Sequence, residues 1–103
     1  MTDKELLELA AKAAGLVIHT WEEDHFLVDE NNGIGFCFYW NPLTDDGDAL
    51  RLAVHLNIDI NFTESLVDCG IAICKDNDPY AATRRAIVRA AAEIGKGMNH
   101  AEL

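Results

Sequence analysis

The spacing of apolar residues changes several times along the chain, and each change predicts a different element. The first apolar set follows helical spacing at Leu6, Leu9, Ala10, Ala13 and Val17. Thr2 and Glu5 match a capping box, which satisfies free backbone amides at a helix start, and Gly15 favours a left-handed helix end. We therefore predict a first helix over about residues 3–14.

A two-residue period then predicts three strands. Residues 16–21 are largely apolar on both sides, so this strand is expected to be covered on both faces. Residues 25–29 and 34–40 are predicted to form a hairpin through Asn31-Asn32-Gly33, because Asn-Gly tolerates the positive φ of a tight turn. In the second of these strands, one face carries Ile34, Phe36, Phe38 and Trp40 and should be buried.

A structural corner is predicted where this strand meets a second helix, over about residues 45–56. The corner residues are Trp40, Asn41, Pro42, Asp45 and Asp48. Pro42 ends the strand because it has no amide proton and directs Asn41 toward extended geometry. Thr44 or Asp45 would cap the helix, with Asp48 three residues further on. The acids around Gly47 resemble a calcium loop, but the twelfth position is Leu56, so capping is predicted instead of metal binding.

The second half of the chain predicts two strands and a long helix. Residues 57–62 alternate apolar and polar, as in an antiparallel strand with one buried face, and residues 66–74 form another apolar run. Asp78 and Pro79 suit a helix start. That helix is expected to end near Gly95, and the tail is expected to fray. Its predicted apolar stripe contains Tyr80, Ile87, Ala91, Ile94 and Met98.

These elements predict one domain over residues 1–103, with the order αβββαββα. Three helices and a first strand that is apolar on both sides favour helices on both faces of a sheet. The predicted fold class is therefore α/β with an α+β-like order. It is an α/β/α sandwich of three helices and a five-stranded, mostly antiparallel sheet.

Composition narrows the range of partners. Eight basic and eighteen acidic residues give a net charge of −10, which opposes binding to nucleic acid or to an anionic membrane. No apolar run predicts a signal peptide or a membrane span.

The three cysteines have no CxxC spacing, which favours reduced thiols in a cytoplasm. On one continuous strand Cys69 and Cys74 would point to opposite faces, so no bridge between them is expected.

The candidate reactive residues do not assemble into a recognisable motif. Histidines and cysteines could form a zinc site, but none of them has zinc-ligand spacing, so no metal, cofactor or catalytic residue is predicted. The remaining candidates for ligand or partner binding are Arg51, His55, Arg84, Arg85 and Arg89. Guanidinium groups suit a phosphate or nucleotide, whereas pairing with the abundant carboxylates is the alternative. Tyr39 and Trp21 would suit a protein interface if they are exposed.

Two segments carry a resemblance to a known family. The first is Trp40-Asn41-Pro42-Leu43 followed by residues 46–53, and the second is the arginine-containing segment 84–91. In these segments the chain resembles the phage ABA sandwich domain family, which consists of small proteins of tailed phages and prophages. The resemblance implies an α/β/α sandwich in the cytoplasm of a bacterial host. It implies no activity and no catalytic residues.

Four functional hypotheses follow. The first is a non-enzymatic, phage-encoded accessory protein that binds another host or phage protein, alone or after self-association. The second is a nucleotide- or phosphate-binding protein that uses the helix with Arg84, Arg85 and Arg89. The third is a hydrolase built on Cys37 or on a carboxylate pair. The fourth is an acidic mimic of DNA, which the scattering of carboxylates among turns and caps disfavours.

Overall fold

The structure is a computed structural model, and it describes residues 1–29, 38–63, 66–70 and 72–101, with side chains to residue 98. Three helices and six short strands lie in this part of the chain. The helices are α1 (Asp3–Ala14), α2 (Asp46–Leu56) and α3 (Pro79–Ala101). The strands are β1 (Val17–Glu22), β2 (His25–Asp29), β3 (Phe38–Trp40), β4 (Asn61–Phe62), β5 (Val67–Asp68) and β6 (Ile73–Cys74).

The start and end of α1 match the sequence prediction. The Thr2 hydroxyl accepts the backbone N–H of Glu5 at 3.2 Å, and the Glu5 carboxylate in turn accepts the Thr2 N–H. Gly15 ends the helix with a φ of +74°. Because both ends of the helix are capped by local sequence, its bounds of Asp3–Ala14 could be predicted closely.

The strands form two antiparallel sheets of three strands each, with the orders β1-β2-β3 and β4-β5-β6. The general α+β class is therefore correct, but the predicted five-stranded sheet is wrong. One cause lies at Gly70, whose φ of +81° turns the chain back on itself. The Cys69 N–H donates to the Ala72 carbonyl at 2.8 Å across this turn, so the strand predicted over residues 66–74 is a hairpin of β5 and β6.

Strand β1 also departs from the prediction. None of its six residues is buried, although Ile18 and Trp21 are partly covered against the core. The prediction that both faces of this strand are buried, which rested on its apolar residues, is therefore wrong. In β3, Trp40 is buried and Tyr39 is exposed, which confirms the predicted alternation. The predicted Asn31-Asn32-Gly33 turn and residues 34–37 of the predicted strand lie outside the described residues.

The three helices contact one another, and α3 contacts both α1 and α2 extensively. The backbone of α1 approaches α3 at Gly95, where a side chain would collide with the Leu9 carbonyl group. Alanines at positions 86, 90, 91 and 92 of α3 are fully buried and permit this close packing. Helix α3 continues past Gly95 to Ala101, so the predicted helix end near Gly95 is wrong.

One core cluster connects the helices to both sheets. Its largest members are Leu7 of α1, Phe26 and Val28 of β2, Trp40 of β3 and Val88 of α3. Val67, Cys69 and Cys74 extend the cluster into the second sheet. The buried face of α2 carries Ala49, Leu52 and Ala53, as its helical spacing predicts.

Candidate functional site

The predicted corner is a hydrogen-bonded turn that orients α2. The Asp45 carboxylate accepts the Asp48 N–H at 2.8 Å and caps the helix, which confirms Asp45 as the cap residue. Asp48 does not complete a capping box. Its buried carboxylate accepts the Asn41 N–H at 3.0 Å and an Arg51 guanidinium hydrogen at 2.7 Å. These acids therefore satisfy backbone amides and arginine, so this turn is structural in role.

Asn41 is the centre of the same turn. Its side-chain amide donates to the Asp24 carbonyl between β1 and β2. Its side-chain oxygen accepts the Leu43 N–H at 2.9 Å, and its backbone carbonyl accepts the Asp45 N–H at 2.9 Å. Asn41 thus connects the first sheet to the start of α2, and Pro42 beside it is buried.

The Arg84 side chain fixes α3 to the start of α2. Its Nε donates to the Leu43 carbonyl at 2.8 Å, and its Nη1 donates to the Asp46 carboxylate at 2.7 Å. The side chain is only 18% exposed, whereas that of Asp46 is 72% exposed. Because the guanidinium already has a carbonyl and a carboxylate, Arg84 has a structural function here.

The other predicted arginines point to separate partners. Arg85 pairs with Asp3 of α1 at 3.3 Å, and the Arg89 guanidinium donates to the Cys74 sulfur at 3.6 Å. Arg51 bonds to Asp48 on α2 itself. The structure therefore does not bring Arg84, Arg85 and Arg89 together around one cavity.

A groove with a largely apolar lining lies between α2 and α3. We call it the α2–α3 groove, and it is lined by Asp46, Ala49, Leu50, Ile60, Phe62, Pro79, Tyr80, Thr83, Arg84 and Ile87. Its volume is about 530 Å³. Leu50, Phe62 and Tyr80 line it while remaining 60%, 65% and 69% exposed. Large exposed apolar side chains that cluster in a concavity are typical of interaction sites.

The three exposed side chains come from three different elements, α2, α3 and β4. Leu50 lies on α2 outside the buried stripe of Ala49, Leu52 and Ala53, so it faces outward from the core. Tyr80 lies in the first turn of α3, and Phe62 lies in the edge strand β4. The salt bridge between Arg84 and Asp46 holds the two helices at one end of the groove.

Sequence reasoning missed this groove. It placed Tyr80 in the buried stripe of the last helix and Phe62 on the buried face of an alternating strand, and both assignments are wrong. Ile58 and Ile60 of the same alternation do pack against the core. The available signal was Leu50 with Val54, four residues apart and both outside the buried stripe of α2.

A smaller cavity contains the remaining two predicted binding residues. Arg51 and His55 of α2 line it together with Phe38, Trp40, Leu16 and the end of α1 at Gly15. Its volume is about 230 Å³. The predicted pair Arg51 and His55 is therefore brought together, although away from the arginines of α3.

A contact between His19 and the buried Asp29 was also missed by sequence reasoning. The Asp29 carboxylate is 2.6 Å from His19 Nε2, and Asp29 is buried where β2 meets β1. The two residues are ten positions apart on adjacent strands, so no sequence spacing marks them. Lys4, Glu5, Glu8 and Lys12 of α1 line the open cleft beside His19.

The two described cysteines lie on the same side of the β5–β6 hairpin. Cys74 pairs with Val67, and Cys69 lies two residues beyond Val67, so the pleat directs both thiols to one face. The prediction of opposite faces is wrong because the strand is not continuous. Burial raises the pKa of the Cys69 thiol to about 11, with smaller contributions from Cys74 and Asp68. Both thiols are free.

Other candidate chemistry is limited in the part of the chain described. Within it, no three histidine, cysteine or acidic side chains are grouped closely enough to hold a metal ion. Cys37, on which the hydrolase hypothesis rests, lies outside the described residues. No helix among the described residues has the length and apolar character to span a membrane.

Comparison with known proteins gives no further assignment. No protein-family model matches the chain, and neither curated proteins nor solved structures provide a significant match. The site must therefore be interpreted from its own geometry.

Proposed function

We propose that this protein is a non-enzymatic binding module that captures a segment of another protein in the α2–α3 groove. The observation that carries the proposal is the exposure of Leu50, Phe62 and Tyr80 around one concavity. Side chains of this size are normally buried, so an apolar cluster left open to water costs solubility unless a partner covers it.

The form of the groove supports a protein partner over a small ligand. Its volume of about 530 Å³ is within the usual range of binding pockets, roughly 300–1,000 Å³. However, its two charged side chains already have partners, because the Arg84 guanidinium pairs with Asp46 and with the Leu43 carbonyl. An open apolar surface with few free polar groups suits apolar side chains of a protein segment.

The biological setting remains part of the proposal. The resemblance of segments 40–53 and 84–91 to phage ABA sandwich domains suggests an accessory protein acting in the cytoplasm of a bacterial host. The partner would then be a host or phage protein. In this proposal the corner at Asn41 and the Arg84 salt bridge serve to keep α2 and α3 at the separation that forms the groove.

Truncation of groove side chains tests the proposal. The immobilised full chain is incubated with bacterial lysate, with and without phage infection, and retained proteins are compared between Phe62→Ser, Tyr80→Ser and the unchanged chain. We expect a retained protein to be lost from both variants, since truncating an interface aromatic commonly weakens binding by roughly tenfold or more.

Tyr39→Ser is the matched control. Tyr39 is 63% exposed, similar to Tyr80, but it lies on β3 outside the groove. Circular dichroism and urea unfolding should show that all three variants remain folded. A partner retained equally by the unchanged chain, Phe62→Ser and Tyr80→Ser would contradict the proposal.

A second candidate function is the binding of a small anion in the cavity of Arg51 and His55. The observation that favours it is that Arg51, which also bonds to Asp48, and His55 line one cavity together with the aromatic side chains of Phe38 and Trp40. A thermal-shift series with inorganic phosphate and nucleotides tests it, because ligand at 100 times its Kd should stabilise the fold by roughly 2.7 kcal/mol. His55→Ala should abolish the shift.

A further inference from the structure

The charge around the α2–α3 groove identifies the kind of segment that it would bind. We infer that the groove accepts a basic amphipathic helix, with apolar side chains on one face and lysine or arginine beside them. This inference rests on the proposed function and adds the chemistry of the partner. It follows from the charge of the groove, the geometry of its walls and the net charge of the chain.

One acidic residue lines the groove, and others lie in the segments that lead into it. Asp46 lines it directly, Asp59 precedes the lining residue Ile60, and Asp76 and Asp78 precede the lining residue Pro79. All four are exposed. The cation that lines the groove is Arg84, which is mostly buried and paired with Asp46. The groove therefore has an apolar lining, and the segments that lead into it carry three exposed acids, Asp59, Asp76 and Asp78, against one lysine, Lys75.

The net charge of the chain, −10, also favours a basic partner. Exposed acids outside the groove add a negative field at longer range, which accelerates the approach of a cationic partner and repels an anionic one. A second copy of this chain carries the same charge, so its approach is opposed at low ionic strength. The charge thus favours a basic partner over self-association.

The walls of the groove favour a helix over an extended strand. The groove lies between α2 and the first turns of α3, and a third helix can pack in such a space with its apolar side chains at positions i, i+3 or i+4 and i+7. Strand addition would need a free edge of several residues. The strand at this groove, β4, contains only Asn61 and Phe62.

Designed peptides test the inference with the full chain. A fluorescent peptide of about 18 residues, or five helical turns, carries leucine at helical spacing and lysine elsewhere. A second peptide has glutamate in place of lysine, and a third has the leucine–lysine composition scrambled to remove the apolar face. Binding is measured by fluorescence anisotropy at low and at high salt.

We expect the leucine–lysine helix to bind at least roughly tenfold more tightly than either control peptide. Tyr80→Ser should weaken this binding by roughly tenfold, whereas Tyr39→Ser should leave it within about twofold. Asp59→Asn should weaken it more than Glu22→Gln, which removes an exposed acid on β1. Added salt should weaken it, since exposed charges are screened over about 8 Å at physiological ionic strength.

Other results separate failure of the inference from failure of the proposed function. Preferential binding of the glutamate peptide that depends on Tyr80 would overturn the basic partner and leave a protein-binding groove. Binding of the lysine peptide that is unaffected by Tyr80→Ser would show attraction to charge alone and overturn the inference. Sedimentation that shows a dimer abolished by Tyr80→Ser would make a second copy the occupant and overturn it as well. Equal, weak binding of all three peptides would also contradict it.

Discussion

The buried carboxylate of Asp48 accepts the backbone N–H of Asn41 at 3.0 Å, across seven residues of the turn between β3 and α2. This contact satisfies an amide that lies one residue beyond the last paired residue of β3, Trp40. The same carboxylate holds Arg51 at 2.7 Å. One acid thus stabilises both the exit from the first sheet and the first turns of α2.

Removal of this carboxylate should destabilise the fold. Asp48→Ala leaves the buried Asn41 N–H without a partner, which costs about 1–3 kcal/mol. Asp48→Asn keeps an oxygen for that amide and should cost less. Urea unfolding followed by circular dichroism measures both changes, and a loss below about 0.5 kcal/mol for Asp48→Ala, as for an ordinary surface substitution, would contradict this role.

Arg84 and Arg85 are adjacent in sequence but should differ in their effect on stability. Arg84 is largely buried and bonds to both the Leu43 carbonyl and Asp46, so Arg84→Ala should cost roughly 1.5–3 kcal/mol. The Arg85 side chain is 43% exposed, and its pair with Asp3 is solvated, so Arg85→Ala should cost about 0–1 kcal/mol. Paired urea titrations compare the two variants. Equal losses would show that Arg84 has no special structural role.

The elements with local signals could be predicted, and those that depend on distant contacts could not. Thr2, Glu5 and Gly15 determine the ends of α1 through neighbouring amides, and Asp45 does the same at the start of α2. The division of the predicted strand over residues 66–74 into β5 and β6 depends on the positive φ at Gly70, and a single glycine within an apolar run does not reveal whether it lies in a strand or in a turn.

The site was harder to predict than the fold for the same reason. Arg84, Arg85 and Arg89 form a compact basic group in sequence, but each is directed by a carboxylate, carbonyl or thiol from another element. Phe62 continues a regular alternation, yet it is exposed because β4 lies at the edge of its sheet. Exposure at an edge depends on tertiary packing, which alternation alone does not report.

The approach of α1 to α3 should make Gly95 intolerant of substitution. A Cβ at this position would lie 2.9 Å from the Leu9 carbonyl carbon, which is backbone and cannot rotate away. Gly95→Ala should therefore destabilise the fold by about 1–3 kcal/mol, the usual cost of overpacking.

Gly97 is the matched control on the same helix. A Cβ there meets no atom within 4 Å, so Gly97→Ala should stabilise the fold by about 0.5–1 kcal/mol through helix propensity. The same substitution, glycine to alanine, should therefore lower the free energy of unfolding at position 95 and raise it at position 97. Thermal unfolding of both variants measures it, and stabilisation by Gly95→Ala would mean that the helices are further apart than described.

The burial of Cys69 should make stability depend on alkaline pH. Its pKa is raised from 9.0 to about 11, mainly by burial, so the folded chain keeps the thiol proton at pH values where the unfolded chain has released it. This contribution to stability is complete below about pH 9 and decreases as the pH rises toward 11.

The contribution can be isolated by comparison with Cys69→Ala, which retains a small apolar side chain but has no thiol to ionise. The unchanged chain should lose stability relative to Cys69→Ala between pH 8 and pH 10.5, by an amount on the order of 1–2 kcal/mol. Other groups that titrate in this range are present in both proteins, so the difference in urea unfolding free energy reports the thiol. Parallel pH profiles would indicate that the Cys69 thiolate is as well solvated in the folded chain as in the unfolded one.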